Sequence, residues 1–125
     1  MSALAVARDG NADPAELARF ARLAASWWDR DGPMKPLHDL NPVRLDFVAR
    51  HATLAGAQAL DVGCGGGLLS EAMAHAGAQV AALDLAVPLI DVARLHSSAQ
   101  GLRIDYRVEA VEDHAEQHPG GYDLV

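Results

Sequence analysis

The chain has 125 residues, 50% of them apolar, a formal net charge of −7 and one cysteine, Cys64. That length suits one small domain. The apolar fraction excludes a disordered tail, and the lone cysteine excludes a disulfide scaffold or a cysteine-rich zinc module. Asp105, Glu109, Glu112, Asp113, Glu116 and Asp123 stand near the end against Arg107 alone, so no nucleic-acid partner is expected. No apolar run reaches the ~20 residues that span a bilayer. The first residues lack a signal-peptide core and the composition of a transit peptide, so the expected setting is reduced and cytoplasmic.

Residues 1–12 read as a disordered leader. Asp13-Pro14-Ala15-Glu16 then starts a helix. The Asp13 carboxylate can accept from orphan backbone N–H groups, Pro14 suits the first helical position, and Glu16 follows the cap by three residues. Leu17, Phe20, Ala21, Ala24, Trp27 and Trp28 recur at helical spacing and form one apolar stripe, with Leu23 off it. Gly32, Pro33, Pro36 and Pro42 break periodic structure, so 29–42 reads as an ordered loop. Asn41-Pro42 is expected to cap a second helix with the stripe Leu45, Val48, Ala49 and Ala52. Residues 13–56 thus form an N-terminal helical segment.

From Gln58 the rhythm changes. Residues 58–62 predict a short apolar strand closed by Gly63, Gly65, Gly66 and Gly67. Leu68 to Ala76 predicts a helix ended by Gly77. Residues 79–83 predict a second buried strand reaching Asp84, and 88–100 a helix stopped by Gly101. Leu102, Ile104, Tyr106 and Val108 alternate with charged residues, as in a half-exposed edge strand. Residues 111–118 add a helical turn or two, and Tyr122 to Val125 looks like the start of a fourth strand. Alternating strands and helices predict an α/β fold with a Rossmann-like parallel sheet and right-handed crossovers.

Leu60-Asp61-Val62-Gly63-Cys64-Gly65-Gly66-Gly67 carries the chemistry. Glycines at a strand-to-helix turn permit positive φ and let a ligand lie against main chain. In a doubly wound sheet that turn sits where ligands bind. Asp84 follows Gly63 by about 20 residues, the interval at which an acid reaches a ribose hydroxyl. An adenosine-type ligand across two strand ends is predicted. The dinucleotide pattern G-x-G-x-x-G needs Gly at 68, where the sequence has Leu68. A carboxylate at Asp61 repels a pyrophosphate and welcomes a ligand with an ammonium and a sulfonium. S-adenosyl-L-methionine has both and no phosphate. The order Asp61-x-Gly63-x-Gly65-x-Gly67 resembles the first motif of the class I S-adenosylmethionine-dependent methyltransferases.

Ser26-Trp27-Trp28-Asp29, Lys35-Pro36-Leu37-His38, Asn41-Pro42-Val43-Arg44-Leu45, Leu60 to Leu69 and Val92-Ala93-Arg94-Leu95-His96 narrow this. They resemble the ubiquinone-biosynthesis O-methyltransferase family from residue 15 onward. That resemblance implies a class I fold and reads 57–125 as the N-terminal part of an S-adenosylmethionine-binding domain. It implies methylation of ring hydroxyls on lipophilic, polyprenylated catechol-type quinone precursors. It also implies that Arg44, Gly63 and Asp84 contact the cofactor. Gly63 offers backbone to the methionine end, and Asp84 can accept from ribose hydroxyls. Arg44, in the first turn of its expected helix, sits where the macrodipole disfavours a cation, which points to the methionine carboxylate. Its alternative is a solvated side chain reaching Asp46. Asp61 and Gly65 belong to the same loop, with Asp61 alternatively capping the loop's own N–H groups. Ala110, Val111 and Glu112 follow the third strand, where this fold lays the adenine, or else pack an edge.

No base is apparent beside Cys64, so it reads as a small loop residue. His114 and His118 have the i,i+4 spacing of helical metal ligands without an HExxH pattern; they read as a solvated face, and no metal is expected. His38 borders an acceptor pocket or is structural. Trp27 and Trp28 read as core or as a hydrophobic lid. The catalytic base is not identified. A chain ending at Val125 resembles the N-terminal half of such an enzyme. It is expected to expose an apolar sheet edge, to self-associate as a homo-oligomer and to lack turnover. A greasy acceptor allows peripheral contact with the inner membrane. Other readings are a different class I small-molecule methyltransferase and a non-catalytic S-adenosylmethionine-binding module.

Overall fold

The computed structural model describes residues 13–125, so the expected leader over 1–12 lies outside the described residues. Helix α1 (Pro14–Trp28) opens as anticipated, with the Ala15 N–H donating to the Asp13 carboxylate at 3.0 Å. Asp29 ends it through a tight turn, accepting from Asp31 N–H on its side chain and Gly32 N–H on its carbonyl. Ala24 is buried on the expected stripe and Trp27 and Trp28 are half-buried, while Leu17 is exposed.

Helix α2 (Lys35–His51) departs from expectation. The loop is only 29–34, and Pro42 lies inside the helix instead of starting it. Pro36 occupies the first turn, where a missing N–H is harmless. Pro42 removes one internal bond, yet the helix continues because Leu45 and Val48 beyond it pack on the core. Ala49, placed on the stripe by sequence, is exposed. Arg44 therefore stands mid-helix, and the macrodipole argument for it does not hold.

The α/β part follows the expected order. Strands β1 (Gln58–Val62), β2 (Gln79–Asp84) and β3 (Asp105–Val108) alternate with helices α3 (Leu68–His75) and α4 (Val87–Ala99). Helix α5 (Val111–Gln117) follows β3. The sheet is parallel in the order β1-β2-β3, with Asp61 opposite Ala82 and Ala82 opposite Tyr106. The fourth-strand start appears as a parallel bridge from Leu124 to Ala59 on the outer edge of β1. The third strand is shorter than its alternation predicts, because pairing with β2 begins at Asp105 opposite Ala81.

Strand alternation sends two residue sets to the two faces. On one face Ala59, Val80, Ala82 and Tyr106 pack with Met73 of α3 and Ile90 and Ala93 of α4. On the other, Leu60, Ala81 and Leu83 pack with Val111 and Tyr122. Burial on both faces explains the near-continuous apolar reading of β2. Parallel pairing brings the carboxyl ends of all three strands to one rim, where the glycine loop leaves β1.

Candidate functional site

The loop is held by main chain first. Gly63 and Cys64 N–H groups both donate to the Leu83 carbonyl, at 2.8 and 3.0 Å, and Gly67 N–H returns to the Cys64 carbonyl at 3.1 Å. Gly63, Gly65 and Gly67 take φ of 71°, 56° and 95°, the region that disfavours side chains. Gly66 is a glycine for a different reason: a Cβ there would collide with the Trp27 indole.

The two strand-tip acids divide the work. Asp84 Oδ2 accepts from Gly65 N–H at 2.9 Å and Oδ1 from Ala86 N–H at 2.8 Å. It is thus Asp84, not Asp61, that caps the loop's N–H groups. Asp61 is buried and accepts instead from the Ser70 hydroxyl at 2.6 Å, on the first turn of α3. Burial pushes the Asp61 carboxyl up, the Ser70 hydrogen bond opposes this, and the field of Arg44 opposes it further. From mid-helix α2 the charge of Arg44 therefore reaches Asp61 in β1. Asp46, its alternative partner, pairs with Arg50 at 2.9 Å.

A cleft of about 300 Å³ lies across the strand ends, lined by Val62, Gly63, Leu83, Asp84, Leu85, Glu109, Ala110, Val111 and Glu112. It lies at the lower end of small-molecule pockets, about 300–1,000 Å³. Of the residues singled out by sequence, Gly63, Asp84, Ala110, Val111 and Glu112 line it directly. Gly65 and Asp61 lie behind the rim, on the loop and beneath it. A wider open hollow of about 1100 Å³ lies at the other ends of the strands, around Gln58, Gln79, Ser97 and Leu102. It touches neither the glycine loop nor the strand-tip acids.

Several expectations for neighbouring side chains change. His114 is buried, not solvated. Its Nδ1–H donates to the Glu109 carboxylate at 3.0 Å, and its Nε2 accepts from the Tyr122 hydroxyl at 2.6 Å. Glu109 thus enters the cleft wall braced from behind, which no local pattern announced. His38 Nε2–H donates to the Trp27 carbonyl at 2.9 Å, and Asn41 donates to the Leu68 carbonyl at 3.0 Å instead of capping a helix. Burial and the Asp61 and Asp84 charges push the Cys64 thiol up to about 12, so it is no nucleophile at neutral pH. Among the described residues no three His, Cys, Asp or Glu side chains are grouped to hold a metal ion. No described helix is long and apolar enough to cross a membrane.

Residues 59–125 match the family model described as "Methyltransferase domain". The chain belongs to this family. The methyltransferase domain begins inside β1 and includes the loop, both acids and the cleft. The chain is 60% identical over 119 residues to the ubiquinone biosynthesis O-methyltransferase of Xanthomonas euvesicatoria pv. vesicatoria, covering 95% of this chain and 50% of the relative. It is 64% identical over 110 residues to the enzyme of that name from Xanthomonas campestris pv. campestris (strain B100), covering 88% of this chain and 46% of the relative. The chain thus spans about half the length of the curated relatives it matches. In structure it resembles magnesium protoporphyrin IX methyltransferase from Synechocystis PCC 6803 with bound SAM, at TM-score 0.63 and 22% identity. That likeness covers 85% of this chain and 54% of the other, and places the fold among the Rossmann-like methyltransferases.

Proposed function

We propose that this chain is the cofactor-holding part of an S-adenosyl-L-methionine-dependent O-methyltransferase. The acceptor is a ring hydroxyl of a polyprenylated, catechol-type quinone precursor in ubiquinone biosynthesis. The observation that carries this reading is the 60% identity over 95% of the chain to a protein of that named activity. It spans the loop, both strand-tip acids and the helical segment before them.

The cleft fits the cofactor by the chemistry of its donor set. A carboxylate has about four lone-pair sites. Asp84 spends two on Gly65 and Ala86, so two are left on the cleft wall for ribose hydroxyls. Nothing lies within 4 Å of the open side of Gly63, which leaves its backbone approachable at the methionine end. Gly65 keeps Asp84 oriented, Ala110 and Val111 supply an apolar wall for the adenine, and Arg44 faces the carboxylate end. The Asp84 carboxylate on the cleft wall, with Glu109 and Glu112 beside it, makes a rim that suits an ammonium and a sulfonium and repels phosphates. The cofactor, when bound, supplies the methyl group on its sulfonium. The chain's own residues bind, orient and exclude water. The acceptor's lipophilic tail makes peripheral membrane contact part of the same proposal.

Calorimetric titration of this chain with S-adenosylhomocysteine tests the cofactor half, with saturable one-to-one binding expected. A folded chain that gives no binding heat, and whose amide spectrum the ligand leaves unshifted, overturns it. The acceptor half is tested in a hybrid carrying residues 13–125 in place of the matching segment of the Xanthomonas campestris relative. Methylation of a prenylated catechol is expected, and a hybrid that binds cofactor but leaves that acceptor untouched refutes the assignment.

A further inference from the structure

The geometry points to Trp28 as a positioning residue for the cofactor loop: its indole N–H on the Gly66 carbonyl makes helix α1 and the loop hold or release together. The inference rests on the cofactor reading above. The indole N–H of Trp28 donates to the Gly66 carbonyl at 3.1 Å across 38 positions of sequence. The ring stacks flat on His96 of α4, with centroids 3.6 Å apart. His96 Nδ1–H donates to the buried Glu71 carboxylate at 2.6 Å. Glu71 lies on the first turn of α3, and its own N–H donates to the Gly67 carbonyl at 2.9 Å. The contacts form a closed circuit: loop, Trp28, His96, Glu71 and back to the loop.

Trp27 reinforces it from the side. Its indole fills the space a Cβ on Gly66 would need, and its buried N–H has no hydrogen-bond partner. A buried donor left unpaired is destabilising, so this close contact persists against a local penalty. His38 fixes the Trp27 carbonyl from α2. The loop's three left-handed glycines are intrinsically loose, and a ligand resting on such a segment must meet the entropy of ordering it. A loop already tied to α1 removes part of that penalty. Linkage then makes the effect reciprocal: whatever α1 contributes to cofactor binding, bound cofactor returns to α1.

Two readouts on the 125-residue chain test this. Trp28→Phe keeps an aromatic ring for His96 and deletes the donor to Gly66. Its affinity for S-adenosylhomocysteine should fall about three- to tenfold, the span of one hydrogen bond. In the ligand-free variant, amide exchange at Gly65 to Leu68 should quicken. In the unmodified chain, saturating S-adenosylhomocysteine should slow exchange at residues 21–28 of α1. A variant that melts earlier but binds with unaltered affinity, measured well below its transition, overturns the proposal, because only a structural role remains. So does an α1 whose exchange is unmoved while that of the loop slows. Should Trp28→Phe fail to fold, the reciprocal measurement decides. If the folded wild-type chain binds no S-adenosylhomocysteine, the cofactor reading fails, and the ligand-free exchange comparison still decides the clasp.

Discussion

Strands β1 and β2 each carry a carboxylate at or next to the carboxyl end, Asp61 and Asp84, and the two do opposite kinds of work. Asp61 is 8% exposed and spends itself on the Ser70 hydroxyl, fastening α3 beneath the loop. Asp84 is half-buried, holds the loop and the next turn by their N–H groups, and lines the cleft. One acid shapes the floor, and the other shapes the loop while lining the cleft. Burial is what separates them: an interior carboxylate must be satisfied by the protein itself, whereas a rim carboxylate can keep capacity for a ligand.

The largest effect is expected at the loop residue that leads into α3, above the Asp61 floor. Gly67 has φ of 95°, and a Cβ there would collide with the Tyr106 hydroxyl. Left-handed strain of about 1–2 kcal/mol adds to overpacking of about 1–3 kcal/mol. Gly67→Ala should therefore lose about 3 kcal/mol in urea unfolding. A loss below about 1 kcal/mol would mean the loop relaxes freely away from Tyr106. Next comes Asp84→Ala, which should weaken S-adenosylhomocysteine binding by about 1.5–3 kcal/mol, as for a lost charged hydrogen bond. Asp84→Asn keeps one oxygen acceptor and should fall between. Equal affinities for all three proteins would remove Asp84 from the ligand side of the comparison.

How far this contrast was legible in the sequence depends on range. Strands β1 and β2 were readable almost to the residue, because glycines and acids bound short apolar runs whose burial on both faces needs no partner information. The place of Asp84 on the cleft was readable from its spacing to Gly63, but its bond to Gly65 is a product of folding. Helix α2 was misread because Asn41-Pro42 carries a strong local signal that Leu45 and Val48, packed on a distant core, override. Arg44 was singled out by the family resemblance and supported by a local field that its mid-helix position removes, yet its influence on Asp61 comes from α2 lying near the strand tips. The bonds from Trp28 to Gly66 and from Glu71 to His96 join residues 38 and 25 positions apart, beyond any helical or strand period. His114 was misassigned to a solvated face for the same reason, since Tyr122 and Glu109 bury it from separate segments.

Ser70→Ala sharpens the contrast from the β1 side. It leaves a fully enclosed position without the donor that Asp61 uses, and should cost about 1–3 kcal/mol of stability, with little direct effect on ligand affinity. If affinity fell as far as in Asp84→Ala, Asp61 would belong with the ligand after all.

The smallest expected effect is a slope. Burial raises the Asp61 carboxyl above its ordinary value, so the native state holds that proton more tightly than the unfolded chain. Stability from this group is then fully present below the unfolded value, about 3.9, and is lost as pH climbs through the raised folded value. Asp61→Asn carries no such proton. The melting temperature of the wild type should therefore decline relative to Asp61→Asn from about pH 4 upward, then run level once the folded group has ionised. Ser70→Ala removes the hydrogen bond that favours the charged form, and should move that window to higher pH. Parallel profiles for wild type and Asp61→Asn between pH 4 and 7 would show that burial leaves the Asp61 carboxyl unperturbed, and the distinction between floor and rim would be lost.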